Sequence, residues 1–148
     1  METTLVDSVG VDRTVRLWDT PQCSQAGILR LPSGVGALST HQAHLAVATL
    51  GGECLVYDHR TMKLLATAKP HTDECRSVSY SADGHWLLTG SYDGRVSLVC
   101  TRTMEWKAVC QESDKVIQCR WHSSPELFAV TSAQRRACFW SCDKHDHF

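Results

Sequence analysis

No apolar run in this chain approaches the roughly 18 residues that would cross a membrane as a helix. The longest candidate is Leu45-Ala-Val-Ala-Thr-Leu50. Charge of neither sign collects in a block: 15 Lys and Arg against 16 Asp and Glu leave a net −1, so no field favours the phosphates of nucleic acid or an acidic lipid surface. The opening Met-Glu-Thr-Thr-Leu-Val-Asp has neither the basic region nor the apolar core of a secretory signal. A soluble protein with an intracellular location, cytoplasmic or nuclear, is expected. The eight cysteines, at 23, 54, 75, 100, 110, 119, 138 and 142, contain no C-x-x-C pair. Without a secretory signal they read as reduced thiols used as small core residues. No clustered pair of carboxylates suggests acid–base chemistry, and no cofactor is implied. The closing stretch Cys138-Phe-Trp-Ser-Cys142-Asp-Lys-His145-Asp-His147 superficially suggests a metal site, but its spacing fits no common zinc pattern.

What is present is a repeat. Val11-Asp-Arg-Thr-Val-Arg-Leu-Trp-Asp19 recurs in weaker form as Gly51-Gly-Glu-Cys-Leu-Val-Tyr-Asp58, Asp93-Gly-Arg-Val-Ser-Leu-Val-Cys100 and Gln134-Arg-Arg-Ala-Cys-Phe-Trp-Ser141, each a turn followed by a β-prone run. The aligned residues Trp18, Tyr57, Val99 and Trp140 lie 57 − 18 = 39, 99 − 57 = 42 and 140 − 99 = 41 apart. A period of roughly 40 to 45 residues with four strands per unit is that of a β-propeller blade. Asp83-Gly84 and Asp93-Gly94 fit the tight turns between such strands.

The fold class is therefore all-β, a partial propeller of four-stranded antiparallel blades. The expected units are 1–31, 32–69, 70–110 and 111–141, with a flexible tail over 142–148. The second and third units supply all four strands, a to d from the channel outward. The first lacks its inner strand a and the fourth its outer strand d. An array of this kind is expected to be open, and to self-associate or pair with other repeats.

The chain resembles the WD-repeat family, on Val11–Asp19 as the repeat ending and on Ser81-Ala-Asp-Gly-His-Trp-Leu-Leu-Thr-Gly-Ser-Tyr-Asp-Gly94 as its central stretch. The resemblance implies, in each blade, a hydrogen-bonded chain linking a Trp of strand c, a Ser or Thr of strand b, a His before strand a and an Asp in the b-to-c turn. By motif position these are Ser8, Asp12 and Trp18 in the first unit and His71, Thr89 and Asp93 in the third, with Val99 in the Trp place. A serine-protease-like triad is the competing reading of Ser, His and Asp. It lacks an oxyanion loop or nucleophile elbow.

Propellers act through loop rims, and here the b-to-c and d-to-a loops contribute Arg13, Glu53, Asp73, Glu74, Tyr92, Arg95, Glu112, Asp114, Arg135 and Arg136. Mixed charge with an exposed aromatic suits a protein partner. The expected function is a non-catalytic interaction or scaffold role. Tyr57-Asp58-His-Arg60 adds a finer expectation. It resembles the W-D-x-R ending by which some WD-repeat proteins dock on the adaptor of a cullin–RING ubiquitin ligase, with Arg60 available for a two-point pair with a carboxylate. A propeller-fold enzyme and a truncated isoform without independent function are the remaining alternatives.

Overall fold

The computed structural model describes residues 5–9, 13–19, 24–122, 127–134 and 137–141. They form fourteen strands and no helix. β1 (Leu5–Val9), β2 (Thr14–Asp19) and β3 (Ser24–Arg30) make a three-stranded sheet; β4 (Val35–His41), β5 (His44–Thr49), β6 (Cys54–Asp58) and β7 (Leu64–Ala68) a four-stranded one. β8 (Cys75–Tyr80), β9 (Trp86–Ser91), β10 (Arg95–Cys100) and β11 (Trp106–Gln111) make the second four-stranded sheet, and β12 (Val116–Trp121), β13 (Leu127–Ser132) and β14 (Ala137–Ser141) the last. Every pairing is antiparallel between consecutive strands. Blades two and three are thus complete. Among the described residues, blade one lacks strand a and blade four lacks strand d.

Blades stack because their middle strands are apolar on both faces. In β5, Leu45 and Val47 turn toward blade one while Ala46 and Ala48 turn toward blade three, which is the period of two expected of a strand. Three buried clusters follow, one per junction. Val15 and Leu31 meet Val35, Leu45, Val47, Leu55 and Tyr57; Ala46, Ala48, Cys54 and Val56 meet Cys75, Val78, Leu87 and Val99; Leu88, Val96 and Leu98 meet Val116, Cys119, Phe128 and Val130. Cys54, Cys75, Cys110 and Cys119 are free thiols in these cores. Burial pushes Cys54 and Cys119 up to about 12, so both are inert neutral packing groups.

Two backbone devices let the blades approach. Each inner strand opens with a β-bulge, at Gly36, Arg76 and Ile117, leaving one residue outside the ladder. The b-to-c turns of blades one, two and three each have a residue in the left-handed region: Arg13 (φ 64°), Gly52 (φ 87°) and Gly94 (φ 83°). Glycine is needed at the last two because a side chain on Gly52 would strike the His71 and Asp73 carbonyls, and one on Gly94 those of Glu112 and Asp114.

A candidate interaction rim and the polar network beneath it

Strands alternate in direction, so b-to-c turns and d-to-a loops share one end of the blades while a-to-b and c-to-d turns share the other. The hydrogen bonds agree: Tyr92 N donates to the Glu74 carbonyl at one end (3.0 Å), and His59 N to the Ala43 carbonyl at the other (2.7 Å). The proposed binding residues therefore fall on two opposite rims.

On the first rim, blade three carries a buried network. His71 is 1% exposed, and its Nδ1 lies 3.1 Å from Asp93 Oδ2 and its Nε2 2.8 Å from Thr89 Oγ1. Burial pushes the imidazole below its ordinary 6.5, outweighing the upward pull of Asp93, so it is neutral near pH 7. That assigns the tautomer: Nδ1–H donates to Asp93 and Nε2 accepts from the Thr89 hydroxyl. Asp93 also accepts from Thr72 N at 3.1 Å and Arg95 N at 2.8 Å, and its own N–H donates to Ser91 Oγ at 3.1 Å. Burial works to raise the Asp93 carboxyl, yet the N–H groups of Arg95 and Thr72 together with His71 hold it below its ordinary 3.8. Three strand or loop segments are tied through one carboxylate. Thr89 is fully buried, so its hydroxyl cannot meet a substrate, and the arrangement has no nucleophile to offer.

Above this network sits Tyr92. The Arg76 guanidinium lies 4.9 Å from its ring centroid and the Lys115 ammonium 4.8 Å, a cation on an aromatic ring twice over. Arg76 is held in turn by Glu74 through Nε (2.9 Å) and Nη2 (2.6 Å). Asp73 is exposed, with Oδ1 accepting from Glu74 N at 2.7 Å, and Arg95 reaches back to Asp93 at 3.3 Å. Beside Tyr92 a hollow of about 290 Å³ runs past Asp93, Glu112, Asp114 and Lys115. Sequence reasoning missed Arg76 and Lys115. Arg76 occupies the bulge of β8, where the in–out alternation that would have assigned its face does not apply.

The second rim holds Tyr57, Asp58 and Arg60. Tyr57 is 5% exposed and belongs to the core between blades one and two, so its ring is not a surface for a partner, contrary to the expectation. The cause is its place on a strand buried on both sides. Asp58 Oδ1 caps the turn, accepting from Arg60 N at 2.8 Å and Thr61 N at 3.1 Å, which holds its carboxyl below the ordinary value. Arg60 is exposed. A second hollow of about 250 Å³ on this rim is bounded by His41, His44, Asp83 and His85, but among the described residues no three His, Cys, Asp or Glu side chains are placed to hold a metal. Of blade one's network, Ser8 stands opposite Arg16 in the register and Trp18 opposite Val6. The side chains of Ser8 and Trp18, all of Asp12, Arg135 and Arg136, and Cys142, His145 and His147 lie outside the described residues.

Residues 62–99, from the end of blade two through β10, match the family model WD40, the WD domain or G-beta repeat. The chain is 27% identical over 146 residues to autophagy-related protein 16 of Arabidopsis thaliana, covering 94% of this chain and 29% of that protein. It is 30% identical over 132 residues to echinoderm microtubule-associated protein-like 2 of Homo sapiens (88% and 19%), and 32% over 146 residues to the APC/C activator protein CDC20 of Saccharomyces cerevisiae (93% and 22%). It thus spans less than a third of each of these relatives. A chain in the crystal structure of the mitotic checkpoint complex superposes with a TM-score of 0.85 at 19% identity, over 93% of this chain and 44% of that one. The matched repeat, the blade-by-blade sheets and these relatives identify the chain as an array of WD-repeat β-propeller blades.

Proposed function

We propose that the chain is a non-catalytic protein-interaction scaffold whose partner seats on the rim around Tyr92. The observation that carries this is an aromatic ring with two cations against it, above the bonded His71, Thr89 and Asp93 network, a rigid anchor that a partner can pack on without an ordering cost. The inner strands add a hollow of about 310 Å³ lined by Ser39, Arg76, Ser79, Gln118 and Arg120 among others, a polar surface of the kind a protein partner contacts. Affinity capture from cells, comparing wild type, Tyr92→Ala and the opposite-rim control Arg102→Ala, tests the reading. Proteins recovered by wild type and Arg102→Ala should be lost with Tyr92→Ala. Recovery that ignores Tyr92 sinks it.

A second reading, docking on a ubiquitin-ligase adaptor, is favoured by the exposure of Arg60 on a turn that Asp58 fixes. Arg60→Ala should then cost about thirtyfold in adaptor affinity. Lysine should not restore it, because an ammonium cannot make the planar two-point contact. Co-precipitation of the adaptor with wild type, Arg60→Ala and Arg102→Ala decides; equal recovery from all three removes this reading.

A further inference from the structure

The histidines are sorted between the rims. Five of the six described, His41, His44, His59, His85 and His122, stand on turns of the second rim, and His71 alone lies under the first. Three of the five converge: His41 and His44 bracket the β4–β5 turn, His85 closes the β8–β9 turn, and all three line the hollow of about 250 Å³ where blades two and three meet. His41 is fixed there, its ring 5.8 Å from that of Tyr80 and filling the space that a side chain on residue 84 would take. Among the described residues no hydrogen bond holds a ring nitrogen of His41, His44 or His85. The wall beside them is apolar, with Val56 buried, Ala66 half-buried and Leu65 52% exposed.

We propose that this hollow is a second docking site, independent of the Tyr92 rim, for an acidic segment of a protein partner, one that sets an apolar side chain against Leu65 and a neighbouring carboxylate on the imidazoles. Charge selects this occupant. The fixed charges of the surrounding turns cancel, Arg60, Lys63 and Arg102 against Asp58, Asp83 and Glu105. Two of those carboxylates are already engaged inside the chain, Asp58 by Arg60 N and Thr61 N, and Asp83 by the Ser81 hydroxyl and His85 N. Asp58 also acts on His44 through its charge. What the hollow adds is imidazole N–H capacity, and histidine takes on its charge between about pH 5 and 8, where a glutamate stays ionised. A metal does not suit the site, since no three side chains among the described residues are placed to hold one. A carboxylate brought beside an imidazole favours the protonated ring, so binding takes up a proton, and by reciprocity acid tightens binding.

Fluorescence anisotropy of the full chain with a labelled peptide alternating Glu and Leu should show binding that tightens at least about tenfold from about pH 7.5 to about pH 5.5. Unfolding cannot imitate this, because protonation of His71 costs stability over the same range. The counterpart peptide with Gln in place of Glu should bind weakly at both pH values. His44→Gln combined with His85→Gln, both at exposed positions, should abolish the tightening. Leu65→Asp should weaken binding at either pH, and Tyr92→Ala should change nothing, which separates this site from the first rim. No binding by wild type, binding indifferent to pH or to Leu65→Asp, equal binding of the Gln peptide, or tightening that survives the double substitution overturns the proposal. So does loss with Tyr92→Ala. Binding to phosphatidylserine vesicles in place of the peptide would mean that the surface reads a lipid headgroup, and it overturns the proposal too.

Discussion

Blades two and three have the same backbone and opposite interiors. Subtracting the offset of 99 − 57 = 42 residues, Thr89, Asp93 and Ser97 of blade three become Val47, Gly51 and Leu55 of blade two. Blade two fills the space with aliphatic volume and closes it with Tyr57. Blade three places a neutral imidazole, a hydroxyl and a carboxylate in the equivalent layer and satisfies them with one another. The β-ladder is indifferent to the choice. What it demands is that the layer be full, and the ionisable groups placed in it are each bonded to a neighbour.

The two interiors should therefore fail differently. The largest loss is expected in blade two: Leu45→Ala removes a fully buried side chain that cannot be replaced by collapse of a tight sheet and should cost about 2 to 5 kcal/mol in urea melts. A loss below about 1 kcal/mol would mean that this core is loosely packed. In blade three, Asp93→Ala strands the donors of His71, Thr72 and Arg95 and should cost about 1 to 3 kcal/mol, while Asp114→Ala on the rim stays within about 0.5 kcal/mol. Equal losses at Asp93 and Asp114 would dissolve the distinction between network and loop.

Acid should separate the blades as well. His71 titrates below its unfolded 6.5, so the unfolded chain takes up the proton first. Stability from this group is complete above pH 6.5 and drains away as pH falls from there toward the depressed folded value. His71→Gln should flatten that part of the stability profile, and a profile unchanged by the substitution would show that the imidazole is not buried in its neutral form. The Asp93 contribution persists above 3.8 and goes at lower pH, as its own depressed carboxyl protonates. The smallest effect belongs to Ser97→Ala. The Ser97 hydroxyl is buried without a partner among the described residues, beside Val99 where the family's repeat has Trp, so its removal should be neutral or stabilising by a few tenths of a kcal/mol. A clear loss would reveal a bond to it.

The strands were legible in the sequence because a period of 39 to 42 residues and Asp-Gly turns leave few alternatives. The His71, Thr89 and Asp93 set could be placed because each residue type is tied to one step of the repeat, although Val99 breaks the set. The rim was harder. A list of loop residues cannot say that Tyr57 lies inside while Tyr92 lies half-buried on the rim: both are tyrosines near turns, and only the two-sided burial of β6 separates them. Arg76 and Lys115 were invisible for a related reason, since their partnership with Tyr92 joins an inner-strand bulge, a turn and the next loop across up to 39 residues. Local pattern carries no information about that meeting.

The serine links between inner strands have a mechanical side. Ser39 to Tyr80, Ser77 to Cys119 and the Trp121 indole to the Ser79 carbonyl at 3.1 Å all lie along the hub, and the main packing between blades runs through β4, β5, β8, β9 and β12. The outer strands β7 and β11 hold chiefly to their own sheets and carry Leu64, Leu65 and Trp106 in solvent. The molecule is pinned like a fan at its rivet, so its slats can loosen from the outside without letting go of the axle. Amide protons should exchange soonest in β7 and β11 and last in β5 and β9, and a protease should find its first cut at the perimeter while the hub stays closed.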